Sequence, residues 1–285
     1  ENAALYGDIK ADNVEVNAVT TVKEDIAIVS PTSGNVTFNG EVKGDADLDI
    51  TANKVSFTDA VALQDLTIIA QDKGDESPAI VTFDSTLNAR NVDVTSTTAY
   101  FTGAVDVTGD ITIDTAFYVE FGGTVKADNI NVTSKEDAAF LDAVEATGDI
   151  TVESTNNVVF DGTVNADNIN VTGSTDNVFF DKAVTATGDV TVTAGKVVEF
   201  FQALTATGDV AVSANDIIIF NGEVTAKNIT ANSNEEEVDF EKAVTATGDV
   251  TVTAATVAGF GDTVQVGKTL TVDATTATFT GTVNA

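Results

Sequence analysis

Phenylalanine recurs along this chain at intervals close to 20 residues, at Phe38, Phe57, Phe83, Phe101, Phe121, Phe140, Phe160, Phe180, Phe200, Phe220, Phe240, Phe260 and Phe279. Each is followed two residues later by Gly, Asp, Lys or another turn-compatible residue, then by an apolar residue at +4 and usually a small one at +6. Leu5, in Leu5-Tyr6-Gly7-Asp8-Ile9, is read as a first member of the series. A fixed period of this kind marks a repeat architecture, in which each unit buries its apolar side only by stacking on the next.

Within each period the apolar residues alternate in three short runs, as in Val158-Phe160, Val164-Ala166 and Ile169-Val171. Alternation of period two means strand rather than helix. The enrichment in Val, Ile, Thr and Phe, with Gly-Asp or Asp-Asn about every ten residues, opposes helix further. Three short strands joined by tight turns use up about one period, so the chain returns to its starting face once per repeat. The expected fold is all-β: a right-handed parallel β-helix, or β-solenoid, of about 14 coils, its hand following from the rule for parallel crossovers.

The turn after the small residue has a shorter form, as at Ala127 to Ile130 and Ala166 to Ile169, and a longer one, Ala-Thr-Gly-Asp-Val, as at Ala186 to Val190 and Ala246 to Val250. Asn13, Asn91, Asn129, Asn168 and Asn228 are expected to hold in the shorter form the place that Gly109, Gly148, Gly188, Gly208 and Gly248 hold in the longer, both residue types tolerating positive φ. The chain reads as a single domain, 1–285, with irregular first coils or an N-terminal cap over 1–37 and a loop insertion over 70–80. The stretch from Val19 to Phe38, which holds Pro31, is expected to span more than one coil.

Chemistry is scarce in this composition. Cys, His, Met and Trp are absent, and Arg90 is the one arginine. Polysaccharide lyases and hydrolases built on parallel β-helices need clustered carboxylates with a basic partner; here the acids are spread along the repeat, so no catalytic site and no enzyme activity are expected. The formal net charge of −32 opposes binding to phosphate backbones, which excludes nucleic acid as a partner. No apolar run approaches the ~20 residues of a transmembrane helix, and the chain, opening at Glu1, reads as a mature secreted protein or a cut-out piece of one.

The longer turns place Asp110, Asp149, Asp189, Asp209 and Asp249 on one edge. Stacked like charges there are either solvated surface acids or oxygen ligands for Ca²⁺, the one candidate cofactor, with Asp149, Asp189, Asp209 and Asp249 as its ligands. Glu235-Glu236-Glu237 with Asp239, and Lys135-Glu136-Asp137, read as solvated turns. Outward Thr185, Thr205, Thr225 and Thr245, with Thr191 and Thr251 on another face, leave an ice-binding solenoid as a lesser reading, and a polysaccharide-binding solenoid stands beside it with no residues assigned. At the ends, Leu5 and Ile9 on one side and Phe279, Val283 and Ala285 on the other are the expected assembly residues, because an uncapped coil offers an unpaired strand edge.

The Phe-x-Gly-x-Val-x-Ala and Gly-Asp-Val-Thr-Val repeats resemble the β-helical shafts of bacterial secreted surface proteins, namely filamentous-haemagglutinin-type adhesins and autotransporter passengers. The resemblance implies an exported, cell-surface role in adhesion or envelope architecture. Two functions follow as expectations: a non-catalytic extracellular structural subunit that self-assembles head-to-tail, by end-to-end coil stacking, or laterally into a filament, sheath or layer, and alternatively the shaft of a cell-surface adhesin.

Overall fold

The computed structural model describes residues 2–30, 34–72 and 78–285. Pro31 and the middle of the loop expected over 70–80 lie outside the described residues. Every described element is a strand, all pairing is parallel, and the described residues contain no helix long and apolar enough to cross a membrane. Two compact units, Glu1–Asp142 and Ala143–Ala285, divide the chain. Each is a parallel β-solenoid with a spacing of about 20 residues, and together they hold about 14 coils.

A coil is built from three strand positions. In the coil Val184–Phe200 the first is Val184–Ala186, the second Val190–Ala194 and the third Val197–Phe200. Each pairs with its counterpart one coil on, so Val184 faces Leu204, Val190 faces Val210 and Phe200 faces Phe220. In some coils the second and third positions merge into one strand of 11 residues, as at Asn91–Phe101, Ile111–Phe121 and Val250–Phe260.

The alternation legible in the sequence is the inside–outside alternation of these strands. Val190, Val192 and Ala194 are buried while Thr191 and Thr193 face solvent. Because the pairing is parallel and in register, each inward residue meets its own counterpart above and below. The phenylalanines therefore form an internal stack. In the first unit the described ring centroids from Phe38 to Phe140 are 4.6 to 5.2 Å apart, and in the second, from Phe160 to Phe279, 4.6 to 5.3 Å. Such spacings match the ~4.8 Å between neighbouring strands and fall in the favourable range for offset aromatic stacking. From Phe38 to Phe260 the stacked rings are almost wholly buried.

The first two coils correct the sequence reading. Asn2–Leu5 pairs with Val19–Val22 in the first-strand ladder, whereas Val16 aligns with Phe38. Leu5 is thus not a member of the phenylalanine column; Val16 holds that position, since the Val14–Val16 strand supplies the third side of its coil. Val19 to Phe38 is also one coil rather than more than one, its strands being Val19–Val22, Ile26–Val29 and Asn35–Phe38.

Removal of one ring from the stack leaves a void between two immobile neighbours. Phe180→Ala is expected to cost about 3–5 kcal/mol, the range for fully buried aromatic truncations. Phe201→Ala, one residue outside the stack and 41% exposed, should change stability by about 0.5 kcal/mol or less. Urea denaturation of both variants checks this; equal effects would refute a packing role for the column.

Candidate functional site

Expected site residues are concentrated at the corner between the first and second strands. In the second unit the residue just before the second strand runs Asp149, Asn168, Asp189, Asp209, Asn228, Asp249 and Thr269 in successive coils. Each of these acidic or amide side chains binds the coil that follows it. Asp149 Oδ1 accepts from Asn168 N at 3.2 Å and from Asn168 Nδ2 at 2.8 Å. Asn168 Oδ1 accepts from Asp189 N at 2.8 Å, Asp189 Oδ1 from Asp209 N at 2.7 Å, and Asp209 Oδ1 from Asn228 Nδ2 at 2.8 Å. Asn228 Oδ1 then accepts from Asp249 N at 2.8 Å, and Asp249 Oδ1 from Thr269 N at 3.0 Å.

This ladder explains how the acids of one edge coexist. Asn168 and Asn228 each place an amide between two carboxylates, so of the four candidate calcium ligands only Asp189 and Asp209 are direct neighbours. Lys227 Nζ lies 3.4 Å from Asp209 Oδ1 and offsets that pair. Among the described residues no group of three or more His, Cys, Asp or Glu side chains converges as a metal site.

The first unit carries the same ladder with a different solution to its charge. Asp47 N donates to Asp25 Oδ1 at 3.0 Å and Asp65 N to Asp47 Oδ1 at 3.2 Å, which stacks three acids in a row. Arg90 closes the row with a two-pronged ion pair to Asp65, Nε donating to Oδ1 at 2.8 Å and Nη2 to Oδ2. The guanidinium hydrogen bond is the main cause that holds the Asp65 carboxyl below the usual carboxylate range. Asn91 and Asp110 continue the ladder, Asp110 N donating to Asn91 Oδ1 at 3.0 Å and Asn129 Nδ2 to Asp110 Oδ1 at 2.8 Å. Beside Arg90 lies an open cleft of about 550 Å³ whose lining includes Asp45, Gln64, Asn88 and Asp106. The Arg90–Asp65 pair spans 25 residues of sequence, and only coil register brings it together.

Two readings of the turns are corrected here. Asn91, Asn129, Asn168 and Asn228 share their column with the aspartates of the longer turns, not with the glycines, and Asn13 lies before a third strand, where its Oδ1 accepts from Asn35 N at 3.0 Å. Nor is positive φ the reason for glycine: among the described glycines only Gly7 has it, at 76°. At Gly188 and Gly248 the reason is contact between coils, because a Cβ there would collide with the ladder oxygens Asn168 Oδ1 and Asn228 Oδ1.

The remaining candidates are dispersed. Thr185, Thr205, Thr225 and Thr245 stack as one outward column on the first-strand ladder. Thr191 and Thr251 share a second-strand column with Ala211 and Thr230 between them. In the acidic stretch, Asp239 is half-buried on the outer face of a third strand. Burial, then Glu241 and Glu237 beside it, push its carboxyl above the usual range. The corresponding corner at Lys135-Glu136-Asp137 is tied by Ser134 Oγ, which donates to Phe117 O at 2.9 Å or Asp137 O at 3.0 Å. At the C-terminal coil, Phe279 and Val283 are 40% and 41% exposed. Leu5 and Ile9 of the first coil are half-buried.

No protein-family model, curated protein sequence or solved structure matches this chain.

The ladder makes a definite forecast. Asn168→Asp puts a third carboxylate between Asp149 and Asp189 and deletes a donor, a loss expected at about 0.5–1.5 kcal/mol at low salt and partly recovered as salt screens the repulsion. Gly188→Ala should destabilise as well, through the ladder collision. Thermal melts at low and high NaCl check both, and an Asn168→Asp variant as stable as the parent would disprove the interleaving role.

For Asp239 the raised carboxyl gives a pH signature of known sign. Holding the charged form folded costs stability at neutral pH, and this cost disappears as pH falls below the unfolded-chain value of about 3.9. Asp239→Asn should therefore melt higher than the parent at pH 7, with the two curves converging below about pH 4. A gain that persists unchanged at acid pH would point to packing rather than charge.

Proposed function

We propose that this chain is a non-catalytic structural protein of the cell exterior, whose coils stack on those of further copies to build a surface filament, sheath or layer. One observation carries the reading: successive described coils pair in parallel and in register, so each coil offers the next the same ladder edge and the same buried columns. Stacking one coil on another removes apolar surface from water at about 25 cal/mol per Å², and an edge strand recruits a further strand through its backbone groups. Heterologous, head-to-tail contacts of this kind generate open polymers when they do not close into a ring.

The distribution of polar groups supports a structural role. Carboxylates, amides and hydroxyls are arranged in columns, each repeated from coil to coil, rather than gathered around one reacting centre. The acidic ladder gives the assembly a place where calcium would reduce repulsion between neighbouring copies.

Negative-stain electron microscopy of the chain with calcium and with chelator tests the proposal. Filaments or sheets are expected in calcium. Short isolated particles from the parent chain in both conditions, at the highest concentration reached, would overturn self-assembly and favour the shaft of an adhesin.

A further inference from the structure

Phenylalanine fills the core of this molecule, but the first unit carries a small group of aromatic rings on its outside. Tyr100 and Tyr118 project from the outer face of two successive third strands, with ring centroids 5.9 Å apart and planes tilted by 58°. Tyr100 is 37% exposed, and Phe117, beside Tyr118 at the corner, is 56% exposed. One more residue stands at this corner than in the preceding coil, so the register shifts between Ser96 and Thr98. Irregularities of this kind re-aim side chains.

The group is not required by the coil. Thr82 holds the Tyr100 position, and Thr98 the Tyr118 position, in the coils immediately before. Tyr118 is also held in place: its hydroxyl donates to Glu120 Oε2 at 2.7 Å. Burial and then this bond push its phenol far above the usual tyrosine range. A ring held in this way stays un-ionised, while Glu120 retains a second oxygen that can accept a hydrogen bond.

We propose that this face binds an uncharged glycan, going beyond the assembly reading and independent of it. A sugar ring has an apolar C–H face that packs on an aromatic ring and a rim of hydroxyls that donate to carboxylates. The tilted Tyr100–Tyr118 pair, beside Glu120, offers both. The net charge of −32, with Glu120 and Asp137 adjoining the rings, repels sulfated and uronic-acid polymers. Three rings are also too small an area for a standard protein interface of about 800 Å² per partner.

Affinity electrophoresis of the full chain in gels containing laminarin, hydroxyethyl cellulose or galactomannan, with dextran sulfate as the charged control, tests the proposal. At least one neutral polymer should retard the parent chain. Tyr100→Thr and Tyr118→Thr, which copy the residues of the preceding coils and so leave the fold intact, should each weaken retardation at least tenfold; Phe201→Ala should not. With three tyrosines and no tryptophan in the chain, intrinsic tyrosine emission should change on binding in the parent and not in the two threonine variants. Retardation by dextran sulfate alone, by no polymer, or to the same extent in the threonine variants would overturn it. So would a self-association that the same two substitutions abolish in the absence of glycan binding.

Discussion

Parallel in-register stacking at the strand spacing is the constraint from which the other features follow. Each side chain lies about 4.8 Å from the residue at its own position in the next coil, so the question at every site is whether that residue type tolerates its neighbour. Phenylalanine does, as an offset stack with centroids 4.6 to 5.3 Å apart in the second unit. Valine and isoleucine do, as interlocking branched columns. Carboxylates do not, and the acidic edge is where the structure has to resolve a conflict.

It resolves that conflict in two ways. In the second unit, asparagine amides are set between aspartates and bridge them to the next backbone N–H, as at Asn168 and Asn228, with Lys227 beside the one direct aspartate pair. In the first, three stacked aspartates end on the guanidinium of Arg90. The ladder in turn accounts for Gly109, Gly188, Gly208 and Gly248, whose missing Cβ leaves room for the ladder oxygen of the coil before. Charge, hydrogen bonding and glycine placement are one arrangement seen from three sides.

A solenoid of this kind separates stability from function. The interior is nearly uniform, so the outer positions are free to vary without altering the coil. Thr82 and Tyr100 occupy one column, as do Ile219 and Asp239 in the second unit. A binding face therefore arises from a few outward substitutions, such as Tyr100 and Tyr118, rather than from a cleft between domains.

The period of the phenylalanines and the two-residue alternation were enough to define a parallel β-solenoid, because both patterns arise from interactions within a coil and its nearest neighbour. The internal stack at Phe160 to Phe260 could be read in the same way. What needed the tertiary structure was the alignment of one coil with the next. That alignment moved Leu5 out of the phenylalanine column and put Val16 in it, and it set asparagines opposite aspartates where spacing had matched them to glycines. It also joined Arg90 to Asp65, and Tyr100 to Tyr118. Residues 18 to 25 apart in sequence meet only through hydrogen-bond register, and corners of variable length shift that register by amounts local sequence does not encode.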